Sequence, residues 1–128
     1  MITEESVETA VFESSDRAPG EARAFVAATF ARWGITEHYM ARLVVSELVT
    51  NAYRYGEGGI GVRLCLGGQH GLPVVEVYDR GSEMLTLLPE NHAAINGRGL
   101  ATIADICDAW GVRPVKEGGK VVWARLKL

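Results

Sequence analysis

The segment SELVTNAYRYG, residues 46–56, decides how this chain is interpreted, because it places polar groups in an apolar helical pattern. Glu47 and Asn51 stand at positions i and i+4, so a helix brings them to one face, about one turn apart. The carboxylate can accept a proton, and the amide oxygen can coordinate a hard cation such as Mg²⁺. The alternative is structural: Glu47 is then a solvated helix residue, and Asn51 a helix-end residue near Gly56.

Around this segment, apolar periodicity predicts further helices and strands. In chain order they are strand 7–13, helices 19–33 and 36–55, strands 60–66 and 73–79, a third helix over 97–111, and strands 112–115 and 121–128. Thr36 is the predicted N-cap of the second helix, and Cys107 and Trp110 are assigned to the apolar face of the third. Because the last two strands follow one another directly, we expect an α/β two-layer sandwich with helices on one face of a mixed, largely antiparallel sheet, rather than a doubly wound fold.

Length and composition limit the possible classes of protein. A chain of 128 residues, 48% of them hydrophobic, can bury one core, so a single domain over residues 1–128 is expected. The net charge of −3, without a block of lysines or arginines, argues against direct nucleic-acid binding. No stretch approaches the roughly 20 apolar residues that span a bilayer, and no signal-peptide pattern follows Met1, so we expect no membrane association and a cytoplasmic location. Cys65 and Cys107 are interpreted as core residues in a reducing compartment.

The segment VYDRG, residues 77–81, ends a predicted strand with a carboxylate. Asp79 continues the apolar face of that strand, and Gly81 permits a sharp turn after it. A carboxylate in this place can accept a hydrogen bond from an amino group bound against the sheet. The alternative is ordinary Asp-x-Gly turn chemistry.

The segment GRGL, residues 97–100, places two glycines at a predicted helix N-terminus. Free backbone N–H groups and the helix dipole favour an anion there, and phosphate is the natural ligand. Arg98 between the glycines can add a charge-assisted contact. The alternative is a plain glycine turn with a solvated arginine.

Taken in chain order, ELVTNAYRYG, VYDRG, GRGL and GGKVVWARL resemble the N, G1, G2 and final boxes of the GHKL nucleotide-binding superfamily, which includes gyrase-type ATPases and histidine kinases. The resemblance covers residues 36–128. Within the superfamily, the chain looks most like bacterial anti-sigma factors that are serine-protein kinases, particularly the actinobacterial single-domain members. The features that carry this resemblance are the compact length, the GRGL helix ending in WG and the C-terminal segment VVWARL.

The resemblance implies a role for each matching residue. Glu47 matches the catalytic base, Asn51 the Mg²⁺-coordinating asparagine, and Asp79 the carboxylate that recognises the amino group of adenine. Gly81 matches the first glycine after that aspartate, and Gly97 and Gly99 match the glycines at the phosphates. Arg98 and Leu100, from the same GRGL segment, complete the predicted cofactor-binding residues. ATP and Mg²⁺ are thus the implied cofactors. The implied reaction is phosphorylation of a serine or threonine on an anti-sigma factor antagonist, with a sigma factor as the inhibited partner and a homodimer as the assembly.

The chain departs from the family pattern at four positions. Tyr55 stands where many members have histidine, Ser82 where a second glycine often follows the aspartate, and Lys120 and Val121 where a pair of threonines is frequent. These changes leave open a non-catalytic anti-sigma or partner-switch module with weak or no ATP use. The catalytic half of a histidine kinase is disfavoured, because no phosphoacceptor domain is visible around the three histidines, which are His38, His70 and His92.

Overall fold

The computed structural model describes residues 5–68, 71–81, 103 and 105–127. Its elements are β1 (Ser6–Phe12), α1 (Ala18–Arg32), α2 (Tyr39–Tyr55), β2 (Ile60–Leu66), β3 (Val74–Asp79), β4 (Cys107–Pro114) and β5 (Lys120–Leu126). Neither of the two helices in this part of the chain is long and apolar enough to cross a membrane.

The five strands form one sheet in the order β1-β2-β3-β5-β4. Each of the four described pairings is antiparallel, and both helices pack against one face. The predicted α/β architecture, with helices on one face of a largely antiparallel sheet, is therefore confirmed. The parallel component implied by "mixed" is not found among the described strands.

Alternation along the strands determines which side chains form the core. In β2 the inward residues are Ile60, Val62 and Leu64, and in β5 burial alternates through all seven positions. The helices contribute the residues that meet this face: Ala22, Val26 and Phe30 from α1, and Val44, Val45, Leu48 and Val49 from α2. A period of two in the strands and of about 3.6 in the helices therefore gives one continuous apolar layer.

The predicted N-terminus of α2 needs correction. The N-cap is His38 rather than Thr36, and its side chain makes no capping hydrogen bond. Instead, Arg42 fixes the first turn: its backbone N–H donates to the carbonyl oxygen of His38 at 3.0 Å, and its Nε donates to Nδ1 of the same histidine at 3.0 Å. Local contacts of the arginine therefore place the helix start later than the cap preference of threonine predicts.

The predicted third helix extends too far along the chain. Cys107 and Trp110 lie in β4, opposite Leu126 and Ala124 of β5, so their assignment to a helix is wrong. A register shift between Cys107 and Ala109 lets residues three apart both face the core, which imitates helical spacing. Gly111, expected to end the helix, instead lies beside Trp123, whose ring atoms are 3.0 Å from where a Cβ would be.

Candidate functional site

A small cavity lies between the C-terminal half of α2 and the adjoining ends of β3 and β5. Its volume is about 10 Å³, and its lining consists of Leu48, Asn51, Ala52, Val77, Asp79, Lys120 and Val122. Three of these side chains are polar, and all three are buried. Polar groups from three elements therefore meet inside the apolar layer.

Asp79 is the last residue of β3, and its side chain faces inward as predicted. Its Oδ1 accepts a hydrogen bond from the backbone N–H of Gly81 at 2.7 Å and another from Nζ of Lys120 at 2.9 Å. The side chains of Asp79 and Lys120 are 2% and 3% exposed. The carboxylate is thus part of a buried ion pair as well as of an Asx-type turn.

The ion pair follows from strand register. Asp79 and Lys120 stand directly opposite one another in the antiparallel pair of β3 and β5. Inward positions alternate along β5, and Lys120 is the first of them. Residues facing each other across an antiparallel pair have adjacent side chains on the same face of the sheet.

Two glycines allow the backbone to approach Asp79. A Cβ on Gly56 would lie 2.5 Å from Cγ of Asp79 and 2.7 Å from the carbonyl oxygen of Ala52. A Cβ on Gly119 would collide with the carbonyl oxygen of Asp79, and its φ of +94° also favours glycine. A further tie is the hydrogen bond from the N–H of Arg80 to the carbonyl oxygen of Glu57 at 2.8 Å. The end of α2 and the end of β3 are therefore held together around the carboxylate.

The structure separates the two polar residues of the opening segment. Asn51 is 8% exposed and lines the cavity with Asp79. Glu47, one turn earlier, is half-buried and does not line the cavity. The predicted common face of α2 is thus divided between a buried amide and a partly exposed carboxylate.

Five other predicted positions lie outside the described residues: Ser82, Gly97, Arg98, Gly99 and Leu100. Of the departures from the family pattern, Tyr55 is half-buried at the end of α2. Val121 points to the opposite face of the sheet, where it lines a groove with Arg63, Glu76 and Tyr78. The two departures in β5, Lys120 and Val121, therefore lie on opposite faces of the sheet.

From the sequence, Lys120 was identified only as a departure from the family pattern, and its contact with Asp79 was not predicted. The signal was present: the segment KVVWARL alternates, so its first residue falls on the same face as Val122 and Ala124. A lysine on the inward face of a strand requires a partner, because an unpaired buried ammonium is strongly disfavoured. The close approach of Gly56 and Gly119 to Asp79 was likewise not predicted.

The site suits the implied cofactors unequally. Asn51 offers an amide oxygen, and Mg²⁺ is commonly held by one or two protein oxygens together with phosphates and water. The described residues contain no cluster of three or more histidine, cysteine, aspartate or glutamate side chains that could hold a metal ion. A bound Mg²⁺ would therefore need ligands from the nucleotide as well. A cavity of about 10 Å³ is barely large enough for one water molecule, so a purine base does not fit while Lys120 lies on Asp79.

Comparison with protein families agrees with the fold. The family described as the histidine kinase-like ATPase domain matches residues 12–126, which include all of the described helices and strands except the first six residues of β1. Among curated proteins, no sequence gives a significant match. An ATPase domain implies an ATP site and kinase-like chemistry, and the superfamily to which the sequence motifs pointed is confirmed. The chain belongs to the histidine kinase-like ATPase domain family.

Proposed function

We propose that this protein is an ATP-binding anti-sigma factor that phosphorylates a serine or threonine on an anti-sigma factor antagonist. The observation that carries the proposal is the meeting of Asn51 and Asp79 at one cavity, within a chain that matches an ATPase domain family. The two residues come from different elements, and each has the chemistry that its proposed role requires.

The proposed roles follow the needs of phosphoryl transfer, which depends mainly on positioned phosphates, neutralised charge and a group that receives the proton of the nucleophile. Asp79 would accept a hydrogen bond from the amino group of adenine, and Asn51 would contribute one oxygen to Mg²⁺. Glu47 would be the base: it lies one turn from Asn51 and is half-buried, so an incoming hydroxyl group can reach it. Gly81 and residues 97–100 would complete the nucleotide site.

The proposed partners are an anti-sigma factor antagonist as phosphate acceptor, an RNA polymerase sigma factor as the inhibited protein, and a second copy of the chain in a homodimer. The proposed location is the cytoplasm. These assignments rest on the motif resemblance, and co-purification with each partner tests them separately from ATP binding.

A second candidate function is favoured by the ion pair between Lys120 and Asp79. With the carboxylate already paired, the protein would act as a partner-switch module that binds its protein targets with weak or no use of ATP. Both candidates share the fold. They differ in whether phosphate reaches the antagonist.

The deciding experiment incubates the protein with radiolabelled ATP, Mg²⁺ and candidate antagonists encoded nearby. The kinase proposal expects a labelled antagonist. It also expects Glu47→Gln to lower single-turnover transfer by roughly 10² to 10⁴-fold with nearly normal ATP binding, whereas Asn51→Ala weakens Mg²⁺-dependent binding as well. Glu37→Gln is the matched control, because Glu37 is exposed and precedes α2. Sigma-factor binding without any labelled antagonist selects the partner-switch module instead.

A further inference from the structure

The contact between Lys120 and Asp79 has a bearing on nucleotide binding that the proposed roles do not include. Nζ of Lys120 lies 2.9 Å from Oδ1 of Asp79, and neither side chain is more than 3% exposed. An ammonium group and the amino group of adenine are both N–H donors. Both are directed at the same kind of partner, a carboxylate at the end of β3.

We propose that Lys120 is an internal occupant of the base site, whose ammonium group takes the place of the adenine amino group at Asp79 and so restrains ATP binding. This inference rests on the proposed function, in which Asp79 reads the base. It adds a specificity and regulatory residue to that site.

The hydrogen-bonding pattern supports the proposal. Oδ1 of Asp79 already accepts two hydrogen bonds, from Gly81 and from Lys120. If a nucleotide displaces Lys120, the ammonium group loses its charged partner inside a layer of apolar side chains. Base recognition is therefore coupled to the removal of a buried cation, which opposes it.

The available space supports the same conclusion. The apolar walls of the cavity are Leu48, Ala52, Val77 and Val122, none more than 5% exposed, and the remaining volume is about 10 Å³. Binding pockets for small molecules are usually at least several hundred Å³. The base can enter only if the Lys120 side chain leaves, since the neighbouring walls belong to a helix and to paired strands.

The position of Lys120 is a property of the sheet. Strand register sets it opposite Asp79, and Gly119 lets β5 begin against the carbonyl oxygen of that residue. Apparent affinity falls in proportion to the fraction of molecules whose site is open. If the ion pair is open in about one molecule in ten to one in a hundred, ATP binds about 10 to 100 times more weakly than to an open site.

The first test uses the unaltered protein and two nucleotides. ATP and the triphosphate of purine riboside, which lacks the amino group, are compared by equilibrium binding in the presence of Mg²⁺. If Lys120 occupies Asp79, both nucleotides bind mainly through their phosphates with the base outside the cavity, so the two affinities agree within about threefold. A preference for ATP of about tenfold or more would show that Asp79 reads the base freely, and it would overturn the proposal.

The second test replaces the lysine. Lys120→Thr opens the cavity and is expected to raise affinity for ATP at least about tenfold, while the purine riboside nucleotide gains less, so that a preference for ATP appears. Val121→Thr is the matched control, because that side chain lies on the other face of the sheet and its variant should bind ATP like the parent. A folded Lys120→Thr variant without this gain contradicts the proposal.

The outcomes separate this inference from the proposed function. If the parent binds ATP with a clear preference over the purine riboside nucleotide, the inference fails and the ATP site stands. If neither the folded parent nor folded Lys120→Thr binds ATP, both fail. Should Lys120→Thr not fold, the comparison of the two nucleotides in the parent still decides.

Discussion

Strand β3 carries two ion-paired carboxylates whose surroundings differ completely. Asp79 faces the helices and pairs with Lys120, with both side chains at most 3% exposed. Glu76, three residues earlier, faces the other side of the sheet. Its carboxylate lies 3.7 Å from Nε of Arg63 and 3.3 Å from Nη2 of Arg113, and both arginine side chains are about half exposed.

The difference shows that burial, rather than the number of ion pairs, determines what each contributes. Exposed pairs are screened by water and salt and are typically worth about 0 to 1 kcal/mol. A buried pair gains little over apolar residues of similar volume, but removing one partner leaves a charge without compensation. Asp79 and Lys120 therefore depend on one another far more than Glu76 depends on its two arginines.

The largest expected effect is that of breaking the buried pair. Lys120→Met keeps most of the side-chain volume but leaves the Asp79 carboxylate without its cation, so it should lower the free energy of unfolding by about 3 to 5 kcal/mol. Urea denaturation measures the change. The double variant Asp79→Asn/Lys120→Met should recover part of the loss, because no buried charge is left unpaired. A single variant as stable as the parent would remove the contrast with Glu76.

The next effect tests the close packing around Asp79. Gly56→Ala would place a methyl group 2.5 Å from Cγ of Asp79, so the carboxylate or the end of α2 must shift, and we expect a loss of about 1 to 3 kcal/mol in urea denaturation. Gly59→Ala is the control, because its Cβ would meet Val11 and Phe12 only at ordinary contact distances of 3.6 and 3.7 Å. Equal stability of the two variants would mean that the packing around Asp79 adapts without cost.

A third prediction concerns how the free energy of unfolding depends on pH through a buried thiol on the inward face of the sheet. Burial raises the pKa of the inward-facing Cys107 thiol to about 11 from its ordinary value of 9.0. The folded state therefore holds this proton more tightly than the unfolded state does, so the stabilisation is complete below pH 9 and is lost as pH rises toward 11. We expect a loss of about 1 to 2 kcal/mol by about pH 10.5. Denaturation of the parent and of Cys107→Ala over this pH range gives the measurement, and parallel curves would contradict it.

The smallest expected effect is that of the outer pair. Glu76→Gln removes the negative charge between Arg63 and Arg113 but leaves all three side chains in contact with water, so the free energy of unfolding should change by less than about 1 kcal/mol. The change should shrink further in high salt. Thermal denaturation at two salt concentrations measures it. A loss as large as that of Lys120→Met would show that exposure does not explain the difference between the two pairs.

Local pattern sufficed where neighbouring residues alone decide the structure. The alternation in IGVRLCL and PVVEVYD predicted β2 and β3, and it placed Asp79 on the inward face. The α1 helix was also predicted within a residue at each end. The pattern failed at β4, because a register shift in a strand gave Cys107 and Trp110 the same spacing that a helix would give. Only pairing with β5 distinguishes the two.

The sequence by itself determined the fold class, the family and the polar residues that distinguish this chain, because periodicity and motif spacing are properties of the chain read in order. The tertiary structure decided which of those residues meet. Asn51 and Asp79 converge at one cavity, Glu47 is not part of its lining, and Lys120 reaches Asp79 across 41 positions of sequence. That last contact depends on the register of β3 against β5, which is selected by burial of the whole sheet face. A residue-by-residue pattern therefore recorded the lysine without predicting its partner.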